Sequence, residues 1–133
     1  MVEGERVRLN QVTVGATDFE ASVRFYCDLG LRLIVSSRGE YARFEMPEGD
    51  ATFSIHLQSD VSGDGPIIYF EVDDVDAAAA RFTAQGGTLE SGPEDQRWLW
   101  REARLRDPAG NQLCLFQAGS NRRFPPWRIK GHP

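Results

Sequence analysis

The sequence predicts an α+β fold of two βαβββ modules, forming a curled mixed sheet around a cleft with the helices outside. Three observations predict it: an internal repeat, a helix-like run flanked by strand-like alternation in each half, and a composition that fits one compact core. The repeat has an offset of 56 residues. Asp18-Phe-Glu-Ala-Ser matches Asp74-Val-Asp-Ala-Ala, and Ala21 pairs with Ala77, Gly30 with Gly86 and Leu33 with Leu89. The 133 residues are 41% hydrophobic and 26% charged, which excludes a disordered or fibrous chain. No stretch approaches the roughly 18 apolar residues of a membrane span, and MVEGERVRLN lacks the basic-then-apolar order of a signal peptide. A cytoplasmic protein with no membrane partner is expected.

The elements follow in order. Arg8 to Val14 alternates as a strand, with Val12 and Val14 on one face and Gln11 and Thr13 on the other. Thr17 and Glu20 have the Thr-x-x-Glu spacing of a capping box. Phe19, Val23 and Tyr26 recur at helical spacing, and Gly30 offers a left-handed stop, so a helix is expected from Asp18 to Leu29. Strands are expected at Arg32 to Ser37, Tyr41 to Glu45 and Ala51 to Gln58, with turns at Arg38-Gly39 and Pro47 to Asp50. After the turn-rich linker Ser59 to Pro66 the order repeats. A strand at Ile67 to Val72 leads to a helix at Val75 to Gln85, then to strands near Thr88, at Glu102 to Arg106 and at Gln112 to Gln117. Asp107-Pro-Ala-Gly-Asn111 reads as a turn before the last strand. Residues 1–118 then form one domain, with modules at 7–58 and 66–117, and 119–133 form a basic, Pro- and aromatic-containing tail.

Strand alternation sorts the faces. Val12, Val14, Phe53, Ile55, Leu57, Ile68, Phe70, Val72, Leu113 and Leu115 are assigned to the helices. The opposite, largely polar set is Gln11, Thr13, Ser54, His56, Ile67, Tyr69, Glu71, Gln112, Cys114 and Phe116, which suggests a binding face rather than a second dry core.

Charge restricts the partners. Fifteen basic and twenty acidic residues give a net charge of −5, and Arg122, Arg123, Arg128 and Lys130 lie in a tail without acids, leaving the body 11 basic against 20 acidic residues. Phosphate neutralisation needs the opposite sign, so nucleic-acid binding is excluded for the body and a cationic ligand is favoured. Cys27 and Cys114 are far apart and form no CxxC or Cys/His cluster, which argues against a disulfide scaffold or structural zinc. In the tail, Phe124 and Trp127 call for an apolar surface on the same domain or a second subunit, whereas the terminal Gly131-His132-Pro133 offers no site.

The openings QVTVGATDFEASVRFYCDLGL and IIYFEVDDVDAAAARFTAQGG, together with the closing RLRDPAGNQLCLF, resemble the vicinal oxygen chelate superfamily. That superfamily groups glyoxalase I, extradiol dioxygenases, fosfomycin-resistance enzymes and bleomycin-resistance proteins. The resemblance covers nearly all of residues 7–117 and implies the fold; the reaction varies among members. Enzymes of the superfamily hold a divalent metal by side chains on the first and last strand of each module. By resemblance the four positions fall on Gln11, His56 (or Ser54, should the strand slip), Ile67 and Cys114. Ile67 cannot ligate, and Cys114 stands where most members have a carboxylate. The segment Gln96-x-Trp98 with Arg101-Glu102 resembles the loop bordering the ligand groove of bleomycin-resistance proteins, with Arg97 replacing a common proline and Trp100 additional.

Two readings result. In the first, a metal-independent homodimeric protein of the bleomycin-resistance type, without a cofactor, binds a planar, cationic or amide-rich small molecule through Gln11, Thr13, His56, Tyr69, Glu71, Trp98, Trp100, Gln112 and Cys114. In the second, a lyase, isomerase or dioxygenase uses a metal held by Gln11, His56 and Cys114, or uses His56 as a general base. Cys114 has no basic neighbour in sequence to lower its pKa, and reads first as a small buried residue.

Overall fold

In the computed structural model, which describes residues 9–61 and 65–129, the chain divides after Val61 into two compact units of identical topology. In the first, β1 (Gln11–Ala16) is followed by α1 (Phe19–Leu29), β2 (Arg32–Ser37), β3 (Tyr41–Glu45) and β4 (Thr52–Leu57). The sheet order is β1-β4-β3-β2, parallel only between β1 and β4. In the second, β5 (Ile67–Glu71), α2 (Val75–Ala84), β6 (Leu89–Asp95), β7 (Arg101–Arg106) and β8 (Gln112–Gln117) give the order β5-β8-β7-β6, parallel only between β5 and β8. The expected α+β class of two βαβββ modules is therefore the observed one. Residues 1–8, 62–64 and 130–133 lie outside the described residues, and with them the expected strand start at Arg8, part of the Ser59–Pro66 linker, Lys130 and His132.

The helix starts explain the repeat. Asp18 caps α1, its carboxylate accepting from Ala21 N at 3.0 Å, and Asp74 caps α2 in the same way through Ala77 N at 3.1 Å. Both caps are extended, with φ near −130° and −142°. The capping box expected at Thr17 is corrected: the residue one position later holds the non-helical backbone and the aspartate oxygen that the first-turn donors need. Gln117 adds a second device in the second unit, where its Oε1 accepts from Val75 N at 2.6 Å. Arg101 then clamps α2 to the sheet, with Nε and Nη2 on Asp76 at 2.8 and 2.9 Å and Nη1 on Asp95 at 3.0 Å. The guanidinium holds the Asp76 carboxyl below its usual range.

Each helix covers one face of its own sheet. In the first unit Tyr26 is fully buried and packs on Phe53 and Phe44, with ring centroids 4.6 and 5.8 Å away, while Ala42 and Ile55 complete the core. In the second unit Val75 and Ala79 meet Ala103, flanked by Val72 and Leu89. Each large buried side chain contributes on the order of 1.5–3 kcal/mol.

The strand expected near Thr88 runs instead through Leu89–Asp95. Ser91-Gly92-Pro93 breaks the alternation, and the ladder absorbs the break as register irregularities around Ser91. Gly92 has φ +80°, and a Cβ there would lie 2.2 Å from the Glu102 carbonyl oxygen. Only glycine lets β6 approach β7 this closely. The Asp107 turn is as expected: its Oδ1 accepts from Ala109 N and Asn111 N at 3.0 and 2.9 Å. Among the described residues no helix is long and apolar enough to cross a membrane.

The caps supply a test of the repeat. Asp18→Ala and Asp74→Ala should each lower unfolding free energy by about 1 kcal/mol in urea denaturation, with Thr17→Ala within about 0.5 kcal/mol of the parent.

Candidate functional site

The parallel pairing fixes which side chains share the face opposite each helix. In the first unit Gln11 is opposite Thr52, Thr13 opposite Ser54 and Gly15 opposite His56, while β3 brings Glu45, Arg43 and Tyr41 to the same three levels. A hydrogen-bond chain crosses this face. Thr52 Oγ1 donates to Gln11 Oε1, and Gln11 Nε2 lies 2.7 Å from Ser54 Oγ, 3.2 Å from Thr13 Oγ1 and 3.3 Å from the Val12 carbonyl. A carbonyl only accepts, so the amide nitrogen faces this side. Ser54, fully buried, sits 2.8 Å from Tyr41 Oη, and Arg43 Nε donates to the same oxygen at 2.9 Å. The bond from Ser54 draws the Tyr41 phenol below its ordinary pKa; desolvation opposes this, and the hydrogen bond and charge of Arg43 reinforce it.

The corresponding face of the second unit has different chemistry. Ile67 lies opposite Gln112, Tyr69 opposite Cys114 and Glu71 opposite Phe116, with Arg106, Arg104 and Glu102 at the same levels on β7. Trp100 stacks on Phe116 at 4.7 Å, and both meet the Tyr69 ring edge-on at 5.9 and 5.7 Å. Tyr69 remains 43% exposed. The Arg104 guanidinium lies 5.6 Å over that ring and donates to Glu102 Oε1 from Nε and Nη2 at 3.3 and 3.0 Å. Trp98 Nε1 donates to the other oxygen, Oε2, at 2.8 Å. Glu102 is only 2% exposed, so its charge depends on these donors; a buried carboxylate without them would cost several kcal/mol.

The sequence-derived residues therefore separate into two groups. Gln11, Thr13 and His56 belong to the polar face of the first unit, and Tyr69, Glu71, Trp98, Trp100, Gln112 and Cys114 to the second. His56 is exposed and stands four residues along β4 from the partner of Gln11, about 13 Å of strand. Gln11 reaches Ser54 instead, and the pairing makes Ser54, not His56, the counterpart of Cys114. Trp100 anchors the loop through its stack on Phe116 and its indole N–H on the Asn121 carbonyl at 3.4 Å. Gln112 Nε2 is bonded to the Gly65 carbonyl at 3.1 Å. The expectation of a polar face is corrected in the second unit, where Cys114, Phe116 and Ala118 cluster with Ile67 and Trp100. Tyr41, Arg43 and Arg104 are not among the sequence-derived residues, and Glu102 entered only within the segment that resembles the groove loop. Glu102 and Arg104 stand in an alternating charged run that reads as a solvated strand; nothing local indicates that its acid is buried.

The donor set can be tested against a divalent metal. Cys114 is fully buried, and burial first, then the nearby Glu102, push its thiol up to about 12. It is a neutral thiol at pH 7, so coordination would first have to displace its proton from a buried site. Gln11 is committed to Thr52 and Ser54. Among the described residues no three His, Cys, Asp or Glu side chains gather as a metal set. The trio Gln11, His56 and Cys114 does not fit a metal.

Comparison with known proteins places these faces in context. The sequence pattern of the Glyoxalase/Bleomycin resistance protein/Dioxygenase superfamily matches residues 8–115. A glyoxalase/bleomycin resistance protein/dioxygenase from Nocardioides is similar in structure, with TM-score 0.71 and 23% identity over 99% of this chain and 93% of that one. Lactoylglutathione lyase from Agrobacterium tumefaciens has TM-score 0.69 and 22% identity, covering 84% and 94% of the two chains. The bleomycin resistance determinant encoded on transposon Tn5 has TM-score 0.67 and 21% identity, covering 84% and 98%. No curated protein matches the chain in sequence.

The two cysteines should behave differently. Cys27 is exposed and Cys114 buried with a raised pKa. In native protein at pH 8 a disulfide reagent such as dithionitrobenzoate should titrate one thiol per chain quickly, and the second only after denaturation; Cys27→Ser should abolish the fast phase.

Proposed function

Because the chain belongs to the Glyoxalase/Bleomycin resistance protein/Dioxygenase superfamily, we propose that it is a metal-independent binder of a planar small molecule, with Tyr69 of the second unit as the principal contact. The observation that carries this reading is the half-exposed Tyr69 ring, held from behind by the Trp100–Phe116 stack and beside by an Arg104 that Glu102 locks in place. The ring is presented without needing to be ordered on binding, so little side-chain entropy is lost. A planar ligand lies against Tyr69 and Trp98, with an acceptor directed at Arg104. Glu71, exposed at the end of β5, adds attraction for a positive charge, since the charge of Glu102 is already taken up by Arg104 and Trp98. The unsuitable donor set supports metal independence over a metal-assisted lyase, isomerase or dioxygenase.

Fluorescence titration with planar cationic and neutral heteroaromatics tests this. Protein stripped of metal by chelation should bind as well as untreated protein. Tyr69→Ala should weaken binding about fivefold, the worth of one aromatic contact, and Glu71→Gln should weaken only cationic ligands, more so at low salt. Binding or turnover that appears only with added metal and disappears in His56→Ala would reverse the reading.

We infer in addition that the protein is a homodimer. Phe124, Trp127 and Ile129 are exposed in the tail, with the Arg123 and Arg128 guanidinium groups 5.3 and 4.6 Å from the Phe124 ring. Apolar side chains of this size call for a partner surface. Light scattering should give twice 14.9 kDa at micromolar concentration, and removal of residues 119–133 should shift the protein toward monomer.

A further inference from the structure

The segment after β8 is held by its own turns. Asn121 N donates to the Ala118 carbonyl at 3.0 Å, Phe124 N to the Ser120 carbonyl at 2.8 Å and Arg128 N to the Pro125 carbonyl at 3.0 Å. Arg128 Nη1 adds a bond to the Arg123 carbonyl, and Pro125 and Pro126 fix two backbone angles. The side chains presented on this frame are uncovered: Phe124 is 55%, Trp127 58% and Ile129 82% exposed. The charges are equally open. Arg122, Arg123 and Arg128 are exposed, and among the described residues none of the three is ion-paired. Two of them lie by the Phe124 ring instead, which leaves their charge available. Acids nevertheless outnumber bases by 20 to 11 in residues 1–118. Asp28, Glu48 and Asp73 are exposed there and, among the described residues, are in no ion pair.

We propose that the tail is a docking strap for a second copy of this chain, and that it seats on the acidic body of that copy rather than on its tail. The proposal rests on the homodimer reading and names the surfaces that meet. Two-fold symmetry allows either arrangement, tail against tail or each tail against the other body, the second made twice. Burial of Phe124, Trp127 and Ile129 is satisfied by both. Charge is not. Residues 119–133 contain no acid, so apposed tails would bring three arginines against three as water is removed. Against the body the same arginines meet a surface with a net charge of 11 minus 20, or −9. The aromatic and aliphatic side chains therefore supply the contact area, and the arginines select the surface that receives it.

The two arrangements respond to charge with opposite signs. The experiment is sedimentation equilibrium on the full chain, comparing wild type with the double variant Arg122→Glu, Arg123→Glu, two exposed changes outside the core. Tail on body predicts that the variant dimer is weaker by about tenfold or more, the worth of a few exposed ion pairs, and that salt weakens the wild-type dimer. Tail on tail predicts that the variant dimer is tighter, because repulsion has been removed. Trp127 reports the contact directly. Its emission should move to shorter wavelength as protein concentration rises through the dimer Kd, a change lost in Trp127→Phe and kept in Trp98→Phe. A dimer that the double variant leaves unchanged or tightens, or one that forms without a shift in Trp127 emission, overturns this proposal and leaves the homodimer standing. A wild-type protein that stays monomeric at every concentration overturns both.

Discussion

In each unit the last strand returns to lie parallel to the first, and nearly every property of the two faces depends on that pairing. Gln11 meets Thr52, and Ile67 meets Gln112, each the first residue of its strand. Side chains alternate with a period of two, so one residue of slip would exchange the helix-covered face for the open one. The apolar residues resist such a slip. Phe53 and Ile55 in one unit, Leu113 and Leu115 in the other, are buried on the helix side. Burying them holds the opposite residues, Ser54 and Cys114, at the centre of the other face.

On this common frame the two faces have diverged. Ser54 is a buried hydroxyl that accepts from Gln11 on one side and shares a hydrogen bond with Tyr41 on the other, and it organises a polar chain ending on Tyr41. Cys114 at the equivalent level can sustain no such chain, and its surroundings are aromatic. There the polar component is a carboxylate on β7, Glu102, enclosed by Trp98 and Arg104. A buried ion of this kind stabilises little by itself, since desolvation offsets the pairing. Its effect is geometric: it fixes the Arg104 guanidinium over the exposed Tyr69 ring and holds the Trp98 indole N–H.

The two arginines Arg43 and Arg104 occupy equivalent levels and differ in what they do. Arg104 is bound to a buried acid and lies over Tyr69, so its charge is largely balanced. Arg43 donates from Nε to the Tyr41 phenol oxygen.

The sequence by itself determined the modular order, the helices and their stops, the Asp107 turn and the membership of each strand face, because these depend on residue periodicity and local backbone preference. It located Gln11, Tyr69 and Trp98 on the right strands or loop. It did not distinguish Thr17 from Asp18 as the cap, since both residues can supply the oxygen and only the backbone angles decide. Nor did it reveal the partnership of Gln11 with Ser54, the burial of Glu102, or Tyr41 as the end of a chain. The bonds of Ser54 to Gln11 and to Tyr41 join residues on different strands, 43 and 13 positions apart, and exist only once the register is set, whereas Glu102 is held by Trp98 and Arg104, near in sequence, and only the packing of β7 buries it. Tertiary structure decided them because a polar side chain acquires its acidity and direction from its neighbours in space, which periodicity does not record.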